Sequence, residues 1–236
     1  MWYKNRLAAF DIETTGIDFS SDEVVTAAVS LVGGGLPAED HDWVVNPAVP
    51  ISEESEELHG ISKEFAESNG VLPEVGLEEI IATLADTMNS GIPVVVFNAA
   101  FDITMIENQA SRYGIRPLTE RVEADRFIVI DPFIIDRAAV PKRPGRRTLT
   151  SLCRHYSVPF EGVQAHSANE DALAAARLAW RMGDVFKALG ALELPELYAR
   201  QKEWAQTQSE SLREYFESIG ADKEVLDGWP IFHLPK

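Results

Sequence analysis

The stretch LAAFDIETTG, residues 7–16, limits the possible folds more than any other. Side chains alternate along a strand. Leu7, Ala9, Asp11 and Glu13 therefore share one face, and Ala8, Phe10 and Ile12 share the other. Both faces begin apolar, so the strand is central, with packed layers on each side. Yet its last two positions on one face are acids, spaced about 7 Å apart along the backbone. Carboxylates so placed resist joint ionisation unless something positive sits between them. A hard divalent cation suits all-oxygen ligands; a solvated strand end with two incidental acids is the other reading.

The rest of the chain supplies the layers such a strand needs. Strands are predicted over 23–32 and 41–46, joined to the first as an antiparallel meander with the turn GGGLPAED between them. Short acidic helical pieces follow over 53–58 and 63–68, then an amphipathic helix over 77–89 with Ile80, Ile81 and Leu84 at helical spacing. PVVVF, 93–97, reads as a buried strand parallel to the first because a helix connects them. A helix over 99–113 stops at Gly114, and RFIVI, 126–130, is a last strand. Asp131-Pro132 reads as a helix start, another helix begins near Thr148, and an alanine-rich helix runs over 168–189. Residues 1–189 are expected to form one α/β domain, and 190–236 a mostly helical appendage docked on it through Trp204 and Trp229. A partner-binding arm is the alternative for the appendage.

Composition excludes several function classes. Of 236 residues, 45% are hydrophobic, enough for a sizeable core, and no apolar run approaches the ~18 residues of a membrane span. No secretory leader is expected, since Asp11 and Glu13 interrupt any apolar region behind MWYKNR. Cys153 is the only cysteine, which rules out an internal disulfide and a multi-cysteine zinc site and fits a reducing cytoplasm. The net charge of −17 opposes broad attraction to nucleic acid or anionic lipid. A metal or a local basic patch reverses that field where it matters. PKRPGRR, 141–147, is such a patch, with Lys142, Arg143, Arg146, Arg147 and no acid.

Further acids converge on the same end of the sheet. Asp102 follows PVVVF on the second turn of a helix whose expected N-cap is Asn98. If that strand is parallel to the first and beside it, Asp102 comes close to Asp11. In AHSANEDA, 165–172, Ser167 and Glu170 fit a capping box. His166 and Asp171 then occupy the two positions that normally form a hydrophobic staple. Giving up that packing suggests a functional use: an imidazole beside a metal-binding carboxylate is suited to deprotonate water.

FDIETTG, NAAFD and HSANEDA, in this order, resemble the three exonuclease motifs of the DnaQ-like DEDD superfamily, and the histidine five positions before the last aspartate resembles its DEDDh branch. That branch includes the epsilon (proofreading) subunit of bacterial DNA polymerase III. The resemblance covers about residues 5 to 188. It implies a ribonuclease H-like fold, a mixed five-stranded sheet flanked by helices. It also implies that Asp11, Glu13, Asp102 and Asp171 hold two Mg²⁺ or Mn²⁺ ions and that His166 is the general base. Asp11 would lie between the ions, Glu13 and Asp171 would serve the ion carrying the attacking water, and Asp102 the other. The implied reaction is 3′–5′ hydrolysis of a single-stranded end, with DNA as the leading substrate, releasing nucleoside 5′-monophosphates, alone or within a polymerase or repair complex. Leu58 and His59, in the segment LHGI, resemble the part that packs on the terminal nucleotide. Thr14, Thr15 and Phe101 sit beside the ligand acids, and Arg146 and Arg147 are candidates to hold the strand's phosphates. Two alternatives stand beside this: an RNA-trimming exonuclease of the same branch, and a non-catalytic nucleic-acid-binding module. Phe97 stands where many relatives carry a histidine.

Overall fold

The computed structural model describes residues 1–160 and 168–234. Five strands form one mixed sheet in the order β3-β2-β1-β4-β5. β1 (Arg6–Thr14), β2 (Val24–Gly33) and β3 (Glu39–Val44) form the expected antiparallel meander. β4 (Val94–Val95) joins the other side of β1 in parallel, and β5 (Val129–Ile130) extends that parallel half. β1 is thus the middle strand.

Its two faces meet two different cores. Ala8, Phe10 and Ile12 pack with Leu77, Ile80, Ile81 and Leu84 of α3 (Pro73–Asn89) and with Ile103 and Ile106 of α4 (Ala99–Tyr113). Before α3, the short helices α1 (Glu53–His59) and α2 (Lys63–Asn69) carry the chain across from the meander, and α5 (Leu118–Arg121) follows α4. Leu7 and Val95 face α7 (Leu149–His155) and α8 (Ala168–Val185), meeting Leu152, Leu178 and Met182. On that face Ala9 clusters with Ala172 and Ala176, and half-buried Val32 packs against the three. Three small side chains let α8 lie close on the central strand.

Several boundaries differ from the sequence-based expectation. α3 starts at Pro73 rather than Leu77, because proline at the first helical position has no N–H to leave unsatisfied. The predicted strand 126–130 shrinks to two residues: the Arg126 and Phe127 N–H groups turn back onto the Glu123 carbonyl. The predicted strand 93–97 also pairs through two residues, since the chain leaves the sheet at Asn98, in the left-handed region at φ 62°. The alanine-rich helix ends at Val185, and a separate turn, α9 (Lys187–Gly190), folds back so that Gly190 rests on the Gly183 backbone.

Beyond α6 (Pro132–Ala139) and the helices above, the long helix α10 (Leu194–Ser218) runs along the β5 edge. Buried Gln201 completes that edge as a neighbouring strand would. Its Oε1 accepts from the Asp131 N–H at 2.7 Å, and its Nε2 donates to the Val129 carbonyl at 3.0 Å. An open sheet edge with unmet backbone groups is thereby sealed. Leu197 joins the core beneath α8, and Trp229, in the segment after α10, packs on Tyr198 at 5.5 Å between ring centroids. Among the described residues, no helix is long and apolar enough to cross a membrane. Cys153 is buried, and desolvation pushes its thiol up to about 11, which leaves it unreactive near neutrality.

Candidate active site

The close approach of α8 to β1 assembles the site. Asp171 lies on the first turn of α8, one residue before Ala172. Carboxylate oxygens of Asp11, Glu13 and Asp171 all lie within 4.8 Å of one another. Among the described residues, no other group of His, Cys, Asp and Glu side chains converges in this way. The β1–β2 register shifts between Glu13 and Thr14, so the ladder breaks just past the two acids.

Asp102 adjoins this trio from the next strand's connection. Its Oδ1 accepts the Ile12 N–H at 3.3 Å, which pins the start of α4 against β1 between Asp11 and Glu13. The expected N-cap of α4 works differently from the prediction. Asn98 occupies the cap position but makes no side-chain cap bond. Asp131, at the start of α6, caps the helix instead: Oδ1 accepts the Asn98 N–H at 3.0 Å, and Oδ2 the Ala99 N–H at 2.9 Å. Asp131 also accepts the Phe133 N–H and, from the C-terminal segment, Trp229 Nε1 at 3.1 Å. The sequence marks Asp131 only as the cap of its own helix. Nothing local reveals that it also holds α4, or that Gln201 and Trp229 reach it from more than 60 residues away.

Burial dominates the electrostatics. Desolvation first, then the charges of Asp102, Glu13 and Asp171, hold the Asp11 carboxyl well above the usual carboxylate range. Asp102 is raised likewise by desolvation, against hydrogen bonds from its own backbone and from Ile12 that favour the ionised form. The carboxylates are hard oxygen donors, they converge, and two of them are held back from ionising. This donor set fits a divalent cation of the Mg²⁺ or Mn²⁺ kind, which would relieve both the repulsion and the desolvation.

The other candidate residues divide into two groups. His59 ends α1 and is 2% exposed. Its Nδ1 accepts the Ile61 N–H at 3.0 Å, so the proton of the neutral ring sits on Nε2. Nε2 has no hydrogen-bond partner among the described residues, though the Thr14 carbonyl is close enough to offset part of the desolvation that lowers the ring's pKa. The Ser52 N–H bonds the Thr15 carbonyl at 2.9 Å, tying α1 to the end of β1, while Leu58 stands exposed on the same helix. Phe101, one residue before Asp102, packs on Phe19 at 5.6 Å. The hydroxyls of Thr14 and Thr15 bond the Gly16 carbonyl and Asp22, so both side chains shape the loop after β1. Arg147, like Arg143, is ion-paired to the fully buried Asp136, which also accepts the Tyr156 hydroxyl. Arg146 is exposed. Phe97 packs edge-on against Phe133 at 5.9 Å. His166 and Ser167 lie outside the described residues.

Comparison with known proteins agrees with this arrangement. The chain is 28% identical over 176 residues to the PolC-type DNA polymerase III of Lactococcus lactis subsp. lactis (strain IL1403), covering 75% of this chain and 10% of that one. It is 27% identical over 168 residues to the DNA polymerase III subunit epsilon of Rickettsia prowazekii (strain Madrid E), covering 69% and 67%. Exonuclease I from Methylocaldum szegediense superposes with a TM-score of 0.62 at 20% identity over 79% of this chain and 43% of that one. E. coli Exonuclease I in complex with a dA16 oligonucleotide superposes at 0.63 and 17% identity with the same coverage. The chain therefore spans about a tenth of the PolC-type relatives and under half of the exonuclease I chains. These neighbours share the expected ribonuclease H-like fold. The family model described as "Exonuclease" (RNase T) matches residues 8–179, from the central strand into α8, and the chain belongs to that family.

Proposed function

We propose that this protein is a metal-dependent 3′–5′ exonuclease that removes nucleoside 5′-monophosphates from single-stranded ends, with DNA as substrate. One observation carries the reading: three carboxylates within 4.8 Å of one another at the end of the central strand, with Asp102 pinned beside them. Asp11, Glu13, Asp171 and Asp102 would hold two Mg²⁺ or Mn²⁺ ions. Bound there, such ions polarise a water and a phosphate oxygen and neutralise charge on the leaving 3′ oxygen. Asp11, on the middle strand between the other acids, suits the shared ligand. His166, five positions before Asp171, would take the proton of the attacking water on its imidazole. His59 offers a buried N–H donor beside Thr14, and Phe101 an aromatic face beside Asp102, for the terminal nucleotide. The E. coli neighbour is solved with DNA oligonucleotides, which supports DNA as the substrate class. The epsilon-subunit relative supports work beside a cytoplasmic DNA polymerase.

The test is digestion of labelled DNA and RNA oligomers, blocked at one end or the other, with and without Mn²⁺. Release of 5′-monophosphates from free 3′ ends, abolished in Asp11→Asn and His166→Ala, is the expected result. Product from a chain blocked at its 3′ end, or full activity of Asp11→Asn, refutes the mechanism. RNA digested in strong preference to DNA corrects the substrate.

A further inference from the structure

A long groove begins at the start of α4, the helix that carries Asp102, and the proposed reaction does not use it. Two adjoining clefts, of about 320 and 640 Å³, share Phe133, Arg137 and Gln208 and so form one channel between α6 and α10. At one end lie Asn98 and Ala100, at the start of the helix that carries Asp102. At the other lie Gly145 and Arg147 of the basic loop. The C-terminal helix forms one whole wall.

The lining is unusual for so acidic a protein. Residues 132–148 contain five cations, Arg137, Lys142, Arg143, Arg146 and Arg147, and a single acid, Asp136. Asp136 is buried and pairs with two of the cations, Arg143 and Arg147. Arg137 has no carboxylate partner among the described residues. It lies over the Phe133 ring at 5.5 Å, in the shared middle of the channel. Burial and the nearby Arg147 both disfavour its charge, a cost that an anion entering the channel would offset. Beside it, Gln208 Oε1 is buried without a hydrogen-bond partner among the described residues, while Nε2 donates to the Ile134 carbonyl. Aromatic rings are spaced along the channel: Phe232 and the largely buried Trp229 toward the start of α4, Phe133 in the middle, Trp204 toward the loop. Glu224 is the one acid on the rim besides the buried Asp131.

Arginines that track phosphates, interleaved with rings on which bases stack, are what a single nucleic-acid strand requires. We propose that the α6–α10 groove binds the single strand upstream of the 3′ terminal nucleotide, with Arg137 on a phosphate and the C-terminal helix as part of the substrate track. This rests on the exonuclease reading and adds to it: the appendage makes affinity depend on the length of the strand. The basic loop continues the track, with Arg146 and Lys142 outermost and Arg147 held in place by Asp136.

The experiment uses the full chain carrying Asp11→Asn, so that DNA is bound and not cut, and compares fluorescein-labelled oligo(dT) with a labelled dinucleotide by anisotropy. Arg137→Gln removes the charge but no ion pair. Ser211→Glu, at an exposed position on the α10 wall, adds an opposing charge and removes no contact recorded in the fold. Each variant is expected to lower the ratio of long-oligomer to dinucleotide affinity about tenfold. Arg137→Gln should also flatten the salt dependence for the long oligomer by about 0.7 in log–log slope, the value for one phosphate on a single strand. An unchanged ratio in both variants overturns the groove assignment, as does an equal loss for both oligomers, which would place the effect at the carboxylate end. Either result leaves the exonuclease reading standing if the wild-type chain still digests DNA. A wild-type chain that neither binds nor digests any oligomer overturns both.

Discussion

Replacing Trp229 with phenylalanine tests how the C-terminal segment supports the carboxylate end of the sheet. The indole N–H donates to Asp131 Oδ2 at 3.1 Å, one of four donors around a carboxylate that is 1% exposed. Desolvation, against those four bonds, raises the Asp131 pKa from 3.8 to about 6. A raised acid pKa means that the native state binds the proton more tightly than the unfolded chain. Asp131 therefore costs nothing below about pH 4, and stability falls as pH rises from about 4 to about 6 and then levels off, by roughly 3 kcal/mol in all. Above that pH the indole bond is made to a charge and contributes about 2 kcal/mol; below it, to a neutral carboxyl, about 1 kcal/mol. Phenylalanine also leaves a gap against Tyr198 worth about 1 kcal/mol at any pH. The expected loss is about 3 kcal/mol near pH 8 and about 2 near pH 5. For a chain of this size these correspond to drops in Tm of roughly 6–12 °C and 4–8 °C. Thermal unfolding of wild type and Trp229→Phe in the two buffers reads the difference directly, because every other titrating group is common to both chains. An equal drop at both pH values, or a larger one in acid, refutes the assignment of the indole to an ionised Asp131.

The other predictions concern buried charge. Asp11→Asn removes a carboxylate that burial and three acidic neighbours already hold toward its protonated form, so the sign reverses between metal-free and metal-loaded protein. In EDTA near pH 8 the variant should melt above wild type. Mn²⁺ should stabilise the wild type by about 2 kcal/mol or more at saturating concentration, raising its Tm, and leave the variant nearly unmoved; differential scanning fluorimetry decides it, and an apo variant less stable than apo wild type counts against the repulsive cluster. Asp136→Ala strands Arg143, Arg147 and the Tyr156 hydroxyl around an empty buried position. A loss of about 3–5 kcal/mol by urea denaturation is expected, and a change below about 1 kcal/mol would show that the basic loop is not anchored there.

Under the proposed function, the acidic site explains how a strongly acidic protein reconciles its charge with a nucleic-acid substrate. Negative potential is concentrated where cations would neutralise it, at Asp11, Glu13 and Asp171. Positive charge is gathered on one wall between residues 132 and 148. Net charge alone therefore says little about the potential along the groove, because the Debye length in physiological salt, about 8 Å, lets each region act separately.

Much of the central layer was legible in the sequence. The two-residue period of LAAFDIET fixes which side chains share a face, the 3.6-residue period marks α3, and cap residues and composition mark α4 and α8; all follow from local backbone geometry. That put Asp11 and Glu13 together and Asp171 at a helix start. Their convergence with Asp171 then needed only the small side chains of Ala9, Ala172 and Ala176, which the sequence displays but whose contact it does not. The short parallel strands were over-extended in the prediction, because an apolar run such as PVVVF shows burial and not how many of its residues find a partner.

What tertiary structure alone decided are the long-range polar contacts. Asp131 looks like an ordinary helix cap, yet it holds the start of α4, receives Gln201 through its own N–H and binds Trp229. Arg147 looks like a surface cation in a basic loop, yet it is tied to a buried acid. Periodicity carries no information about such partners, since they depend on which surfaces meet after the chain has closed. The sequence by itself determined the central strand, the order of the elements and the acids at their ends. Packing determined which groups hold those acids in place, because a buried hydrogen bond is specified by two distant positions at once.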